Sequence, residues 1–264
     1  MINFSDESLA LQSQLAAFMD EHIYPNESRY HEELRAGDGR FASVPLMEEL
    51  KALAKDQGLW NLFIPPGLSQ WNNGNGVSNY DYAPLGHAEL RFEDVRVPLD
   101  SVLLGPGRGF EIAQGRLGPG RMHHCMRLIG GSQRALELAC QRVSQRSTFG
   151  RPLSKHQSIR ENIADCFADI EMARLLVLKT AAKMDEAGTQ GALDMIAASK
   201  ISVPRMMQSV VDRCMQMFGA GGLTDDYPLA ETFNYARWCR QADGPDEVHQ
   251  MSLGKQIINR YADS

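Results

Sequence analysis

The feature that most constrains this chain is a single unbroken apolar stripe. Ile159, Ile163, Phe167, Ile170, Ala173, Val177, Ala181 and Met184 follow one another at steps of three or four residues. That spacing keeps all eight on one face of a helix about seven turns long. Such a helix is too amphipathic to stand alone and too interrupted by charge to cross a membrane. It must lay its stripe against other helices. The stripe predicts a helix that ends before Gly188.

The flanking sequence supplies partners. Phe110 opens a helix that is expected to break at "GPG", Gly118 to Gly120. A long helix should resume near Arg121 and run to about Gln145. Another is expected over Leu193 to Met217, ending at "FGAGG". Two shorter ones follow, Pro228 to Cys239 and Asp246 to Tyr261, separated by the turn "QADGP". Long helices with single apolar faces and short connections bury themselves as an antiparallel bundle. Nearer the N-terminus, Ser5 and Asp6 offer caps for a first helix ended by Pro25. Ser43 is expected to cap a second, with Pro45 in its first turn and Gly58 at its C-terminus.

One stretch does not fit. In "GHAELRFEDVRVP", Ala88, Leu90 and Phe92 alternate with Glu89 and Arg91, and Val95 and Val97 flank Arg96. That is the period of a half-buried strand. A strand needs neighbours, and little else in the chain reads as one. The expected fold class is therefore mostly α, with N-terminal helices, a C-terminal four-helix bundle and a remnant β-ribbon.

Composition narrows the function. The formal net charge is −6 and the basic residues are scattered, which argues against a nucleic-acid partner. No window reads as a membrane span, and the acid-rich start has no secretory pattern. The five cysteines are widely spaced, without a CxxC pair, and are expected as reduced thiols with no metal. The expected compartment is cytoplasmic in a bacterium, or mitochondrial or peroxisomal in a eukaryote.

Four motifs have chemistry to offer. In "RQADGPDEVH", Asp243 is a general base if a pocket removes water and raises its pKa; an aspartate beside glycine in a turn is also ordinary. In "RSTFGRPLSKHQ", Arg146 and Thr148 at a helix end suit a pyrophosphate, or simply cap the helix. The glycines of "QMFGAGG" let a backbone approach a ligand, or merely form a loop. In "GPGRMHH", Arg121 can meet an anion or a polar substrate group; His123 and His124 are adjacent and face different ways, so they form no metal pair.

The order of these motifs is more specific than any one of them. "FEDVRVP", "GRGFEIAQGRLGPGRMHHCMR", "RSTFGRPLSKHQ", "FGAGG" with "YPL", and "ADGPDEVH" resemble the acyl-CoA dehydrogenases throughout Gly86 to Tyr261, most of all the branch of family members ten and eleven. The stretch "LMEELKALAKDQGLWNLFIPP" is similar to that branch too. The resemblance implies FAD as cofactor, an acyl-CoA thioester as substrate, a carboxylate that takes the α-proton, an electron-transfer flavoprotein as acceptor, and a homodimer or homotetramer. Asp243 matches the base, where most members carry Glu. A minority place the base at the position of Gly120. Arg121 and Gly244 match substrate-side positions. Arg146, Thr148, Phe149, His156 and Gln157 match contacts to the FAD of the same or a partner subunit. Gln216, Gly219 and Ala220 match contacts to its adenosine end across the dimer, and Pro245, Asp246 and Glu247 contacts near its pyrophosphate.

The resemblance also explains the isolated strand. Family members have an N-terminal helical domain, a middle β-domain and a C-terminal bundle. Here "SNYDYAPL" of the first part runs directly into "GHAELRFEDVRVP", the last strands of the second. The implied organisation is a partial N-terminal helical domain over 1–85, a remnant β-domain over 86–104 and the bundle over 105–264, with an internal deletion near Leu85 and Gly86. Such a chain is expected to be a dehydrogenase by lineage. The alternative is a non-catalytic helical partner of a full-length dehydrogenase.

Overall fold

A computed structural model describes residues 4–37, 44–60, 91 and 93–262. Two compact units divide it, Met1–Val95 and Arg96–Ser264.

In the first unit, α1 (Asp6–Phe18) starts at Ser5, whose hydroxyl accepts the Ser8 N–H at 3.2 Å. Pro25 was expected to end this helix. The chain instead stays helical through a wide turn (Met19–Ile23) and a 3-10 turn (Tyr24–Asn26) into α2 (Glu27–Ala36). The carbonyl of His22 accepts from the Asn26 side-chain amide at 2.9 Å, so the irregular turn is satisfied without a regular ladder. Helix α3 (Pro45–Asp56) has Pro45 in its first turn, as expected. The expected cap Ser43 lies outside the described residues. Glu33 of α2 accepts the Leu46 N–H at 2.7 Å, and Arg29 grips Glu49 with two bonds of 2.6 and 2.8 Å. Gly58 (φ 70°) closes α3: its N–H reaches Lys55 and that of Leu59 reaches Ala54.

Residues 87–90 and 92 of the expected strand lie outside the described residues. Its described part, 91 and 93–97, is irregular, and Val95 and Val97 are exposed. Two strands occur among the described residues, β1 (Ser147–Thr148) and β2 (Arg151–Pro152), paired antiparallel. This ribbon, the one among the described residues, lies inside the bundle unit. Phe149 (φ 50°) and Gly150 (φ 77°) form its two-residue turn, with both central residues left-handed.

The second unit is helical. Helix α4 (Gly109–Gln145) is followed by the ribbon, α5 (Gln157–Gly191), α6 (Leu193–Phe218), α7 (Leu229–Cys239) and α8 (Asp246–Ala262). Helices α4, α5 and α6 pack against one another, α8 packs on α6 to complete the bundle, and α7 lies against α4 and α6. The expected break at Gly118–Gly120 is absent: α4 runs straight through Pro119. Proline removes one hydrogen bond, but tertiary packing holds the helix. At Gly118 the Thr189 methyl comes so close that a Cβ would sit 2.4 Å from it. The stripe of α5 buries Ile170, Ala173 and Val177, and Gly188 (φ 67°) kinks its end where expected. Leu128, Ile129, Ala139, Val203, Met207, Val210 and Val211 complete the core. Each fully buried aliphatic side chain contributes about 1.5–3 kcal/mol.

Candidate active site

The site forms where the early part of α4 meets the turn between α7 and α8. Arg121 and His124 lie three residues apart on one face of α4, so both point at that turn. The turn carries Asp243 (φ 57°) and Gly244 (φ 107°), two consecutive left-handed residues. Aspartate tolerates that region better than most side chains; at Gly244 any side chain is strained, and a Cβ would also sit 3.0 Å from His249 Nε2.

Three side chains hold the turn. Arg121 Nε donates to the Asp243 carbonyl at 3.0 Å, and His249 Nε2 lies 3.3 Å from the same oxygen. His124 Nε2 lies 3.3 Å from Asp243 Oδ2. Arg121 also reaches Gln114 at 3.4 Å. The His124 imidazole, with Arg121 and Lys200 behind it, holds the Asp243 carboxyl below the ordinary carboxylate range, although burial works the other way. The expectation of a raised pKa is therefore corrected: desolvation is present but outweighed by donors and cations. Burial lowers the affinity of Arg121 and His249 for their protons.

Lys200 is fully buried beneath the site, and its ammonium donates to the Cys239 carbonyl. Desolvation lowers its pKa. Asp246, at the start of α8, is 3% exposed; Arg205 and Arg240 each bond its Oδ2 at 2.9 Å, while Oδ1 is buried without a partner among the described residues. Its carboxylate is thus turned inward onto arginines, while Pro245 and Glu247 are exposed beside it. Gly120 faces the same place: a Cβ there would stand 3.7 Å from Asp243 Oδ2. Gly120 and Asp243, the two positions at which the resemblance led a base to be expected, therefore border one point in this fold.

The remaining expected residues lie elsewhere. Arg146, Thr148, Phe149, His156 and Gln157 gather at the ribbon, beyond the other end of α4. At 1.5 Å per residue, that is about 35 Å from Arg121. Gln216, Gly219 and Ala220 are exposed at the end of α6, at the ribbon's end of the bundle, where Arg142 stacks over Phe218. One chain therefore does not bring both groups to Asp243. The ribbon end has marks of a ligand surface. Phe149 is 97% exposed on a left-handed backbone, and His156 Nε2 is buried without a partner among the described residues. A guanidinium, a hydroxyl, an exposed ring and an unmatched imidazole nitrogen fit a planar, phosphate-bearing group such as FAD.

His124 is the residue that sequence reading missed. It was weighed only as half of a metal pair with exposed His123. The available signal was its place one turn after Arg121, on the face that Arg121 uses. No group of three metal-ligating side chains exists among the described residues. All five cysteines are free thiols, and four of them are buried. No described helix is long and apolar enough to cross a membrane.

Comparison with known proteins matches this architecture. The family model for the acyl-CoA dehydrogenase C-terminal domain covers residues 107–258. Mouse acyl-CoA dehydrogenase family member 10 is 59% identical over 179 residues, covering 68% of this chain and 17% of that protein. Butyryl-CoA dehydrogenase from Megasphaera elsdenii superposes with a TM-score of 0.60 at 34% identity, covering 63% of this chain and 43% of the other. A Mycobacterium abscessus protein assigned to the acyl-CoA dehydrogenases does so at 0.64 and 48%, covering 67% and 44%. The chain thus spans less than half the length of these relatives, and its fold is that of their C-terminal helical domain. With the family model spanning more than half of its residues, the chain belongs to the acyl-CoA dehydrogenase family.

Proposed function

We propose that this chain carries the proton-abstracting site of an FAD-dependent acyl-CoA dehydrogenase, with Asp243 as the base that removes the α-proton of an acyl-CoA thioester. The observation that carries the reading is the geometry at Asp243. A carboxylate sits at a corner held by Arg121 and His249, is kept deprotonated by its neighbours, and meets the His124 imidazole through its Oδ2.

The roles follow from the contacts. Asp243 accepts the α-proton. Arg121 and His249 hold the backbone so that this short side chain is aimed the same way in every molecule. Lys200 and Arg121 add positive potential that favours negative charge developing on the substrate. Bound FAD would accept the β-hydride. Arg146, Thr148, Phe149, His156 and Gln157, with Gln216, Gly219 and Ala220, would hold it for a partner subunit, since about 35 Å of α4 separates them from their own Asp243. Pro245 and Glu247 would border the cofactor of the chain's own site, with Asp246 supporting them from behind. The reading thus requires a homodimer or larger assembly, and family membership supports an electron-transfer flavoprotein as acceptor. Residues 1–85 would be a partial N-terminal domain, 86–104 what remains of the β-domain, and 105–264 the bundle.

The reading is tested by adding FAD to the purified full chain and following flavin absorbance through a sizing column. Stoichiometric flavin in an oligomer supports it. A colourless oligomer, or flavin held by a monomer, contradicts the shared site.

A further inference from the structure

His124 makes a more definite statement about the site than its distance from Asp243 alone. Its Nδ1 faces three groups: the Arg127 guanidinium NH2 at 3.0 Å, the Tyr235 hydroxyl at 3.4 Å and the Cys239 thiol at 3.9 Å. A guanidinium has only donors. The Nδ1 atom beside it must therefore offer a lone pair. The ring's single proton is then on Nε2, the nitrogen that faces Asp243 Oδ2 at 3.3 Å.

We infer that His124 is a positioning residue for Asp243: a neutral imidazole, locked as the Nε2–H tautomer by Arg127, donates to Oδ2 and leaves Oδ1 as the proton-accepting oxygen. This deepens the reading of Asp243 as the base and rests on it. The ring itself is held on two sides. It is buried, and Trp238 meets it edge-on at 5.8 Å between centroids. Arg127 also lies 5.9 Å from the Tyr235 ring, so the group that sets the tautomer is itself placed by α7.

Every packed element contributes charge or titratable groups here. Helix α4 presents Arg121 and Arg127, and α6 presents Lys200. Helix α7 presents Tyr235 and Cys239, and α8 presents His249 and Asp246. The cations and the imidazole hold Asp243 ionised. Among the described residues the imidazole is the group in contact with a carboxylate oxygen, at Oδ2, so it bears on which oxygen takes the proton.

The test uses the full chain and needs no turnover. Nitrogen-15 shifts of the His124 ring, recorded in mildly alkaline buffer, report the tautomer directly. A protonated Nε2 with a bare Nδ1 is expected; a proton on Nδ1 overturns the inference. Carbon-13 detection of the Asp243 carboxyl then gives its titration midpoint. His124→Gln keeps a donor near the Nε2 position and is expected to leave that midpoint nearly unchanged. His124→Phe removes the donor and is expected to raise the midpoint by about one unit, a tenfold change in proton affinity. An unmoved midpoint in a folded His124→Phe chain contradicts the inference. If that variant does not fold, the wild-type ring shifts still decide. Because neither readout uses flavin or substrate, the tautomer and the midpoint are decided whether or not the chain proves to be a dehydrogenase, so failure of this inference and failure of that reading are told apart.

Discussion

Arg121 Nε donates to the backbone oxygen of Asp243 at 3.0 Å across 122 residues of sequence. The early part of α4 thereby sets the conformation of the turn that leads into α8, the last helix of the bundle. Arg121→Met removes a charged donor from a buried carbonyl and leaves His249 alone to hold it. Hydrogen bonds to charged groups are worth about 1.5–3 kcal/mol. A loss of that size in the urea unfolding free energy is expected, and an unchanged midpoint would show that the turn holds itself.

Glycines in the bundle differ in what surrounds them. A Cβ on Gly222 would stand 2.7 Å from the Met215 carbonyl oxygen and 3.0 Å from its Cα, and backbone cannot step aside. One on Gly131 would meet the flexible end of Met207 at 2.7 Å. Gly222→Ala is expected to destabilise by about 1–3 kcal/mol. Gly131→Ala should be near neutral, because a gain of about 1 kcal/mol in helix propensity offsets the Met207 shift. Paired thermal melts check the contrast.

Asp194 ties the start of α6 to its neighbours. Burial disfavours its charge, but Lys183 at 2.8 Å, Arg260 and the Met195 N–H override this and hold its pKa at about 2. Since the folded value lies below the unfolded one, the carboxylate stabilises the fold above about pH 4 and the benefit is lost as pH falls toward 2. Both cationic partners are partly exposed, so the contribution is about 1–2 kcal/mol. Asp194→Asn should lose that amount at neutral pH and show a flatter stability curve between pH 4 and 2. Equal slopes in the two proteins would count against it.

Phe149 is poorly suited to its backbone. A two-residue turn with both φ values positive favours Asn-Gly over Phe-Gly. Phe149→Asn is expected to raise stability by about 0.5–1 kcal/mol, as relief of a strained site does, while weakening FAD retention at least severalfold. A variant that gains stability and keeps its flavin affinity would remove Phe149 from the cofactor surface.

The helices were legible because their signals are local. The middle of the α5 stripe and Gly188 read correctly from spacing alone, and so did the α6, α7 and α8 boundaries to within a residue, whereas Phe167 and Ala181 of the stripe stay exposed. Pro119 misled, because the close approach of Thr189 to Gly118 is a tertiary fact that no window of sequence contains. Alternation over 88–97 pointed to a strand whose described residues form none. The true ribbon is only two residues a side, too short for any period, and only its turn residues marked it. At the site, Asp243 and Arg121 were legible as candidates, but their contact was not. His124 was hidden because its distant partners, Tyr235, Cys239 and Asp243, reach it only when α7 and the turn after it pack against α4.

The most direct test of Asp243 as base is anaerobic mixing of the FAD-loaded full chain with a series of acyl-CoA thioesters, following loss of the visible flavin band. Bleaching by the wild-type chain is expected, with no bleaching by Asp243→Asn at equal flavin content. Bleaching by the Asn variant at the wild-type rate would contradict the assignment of Asp243.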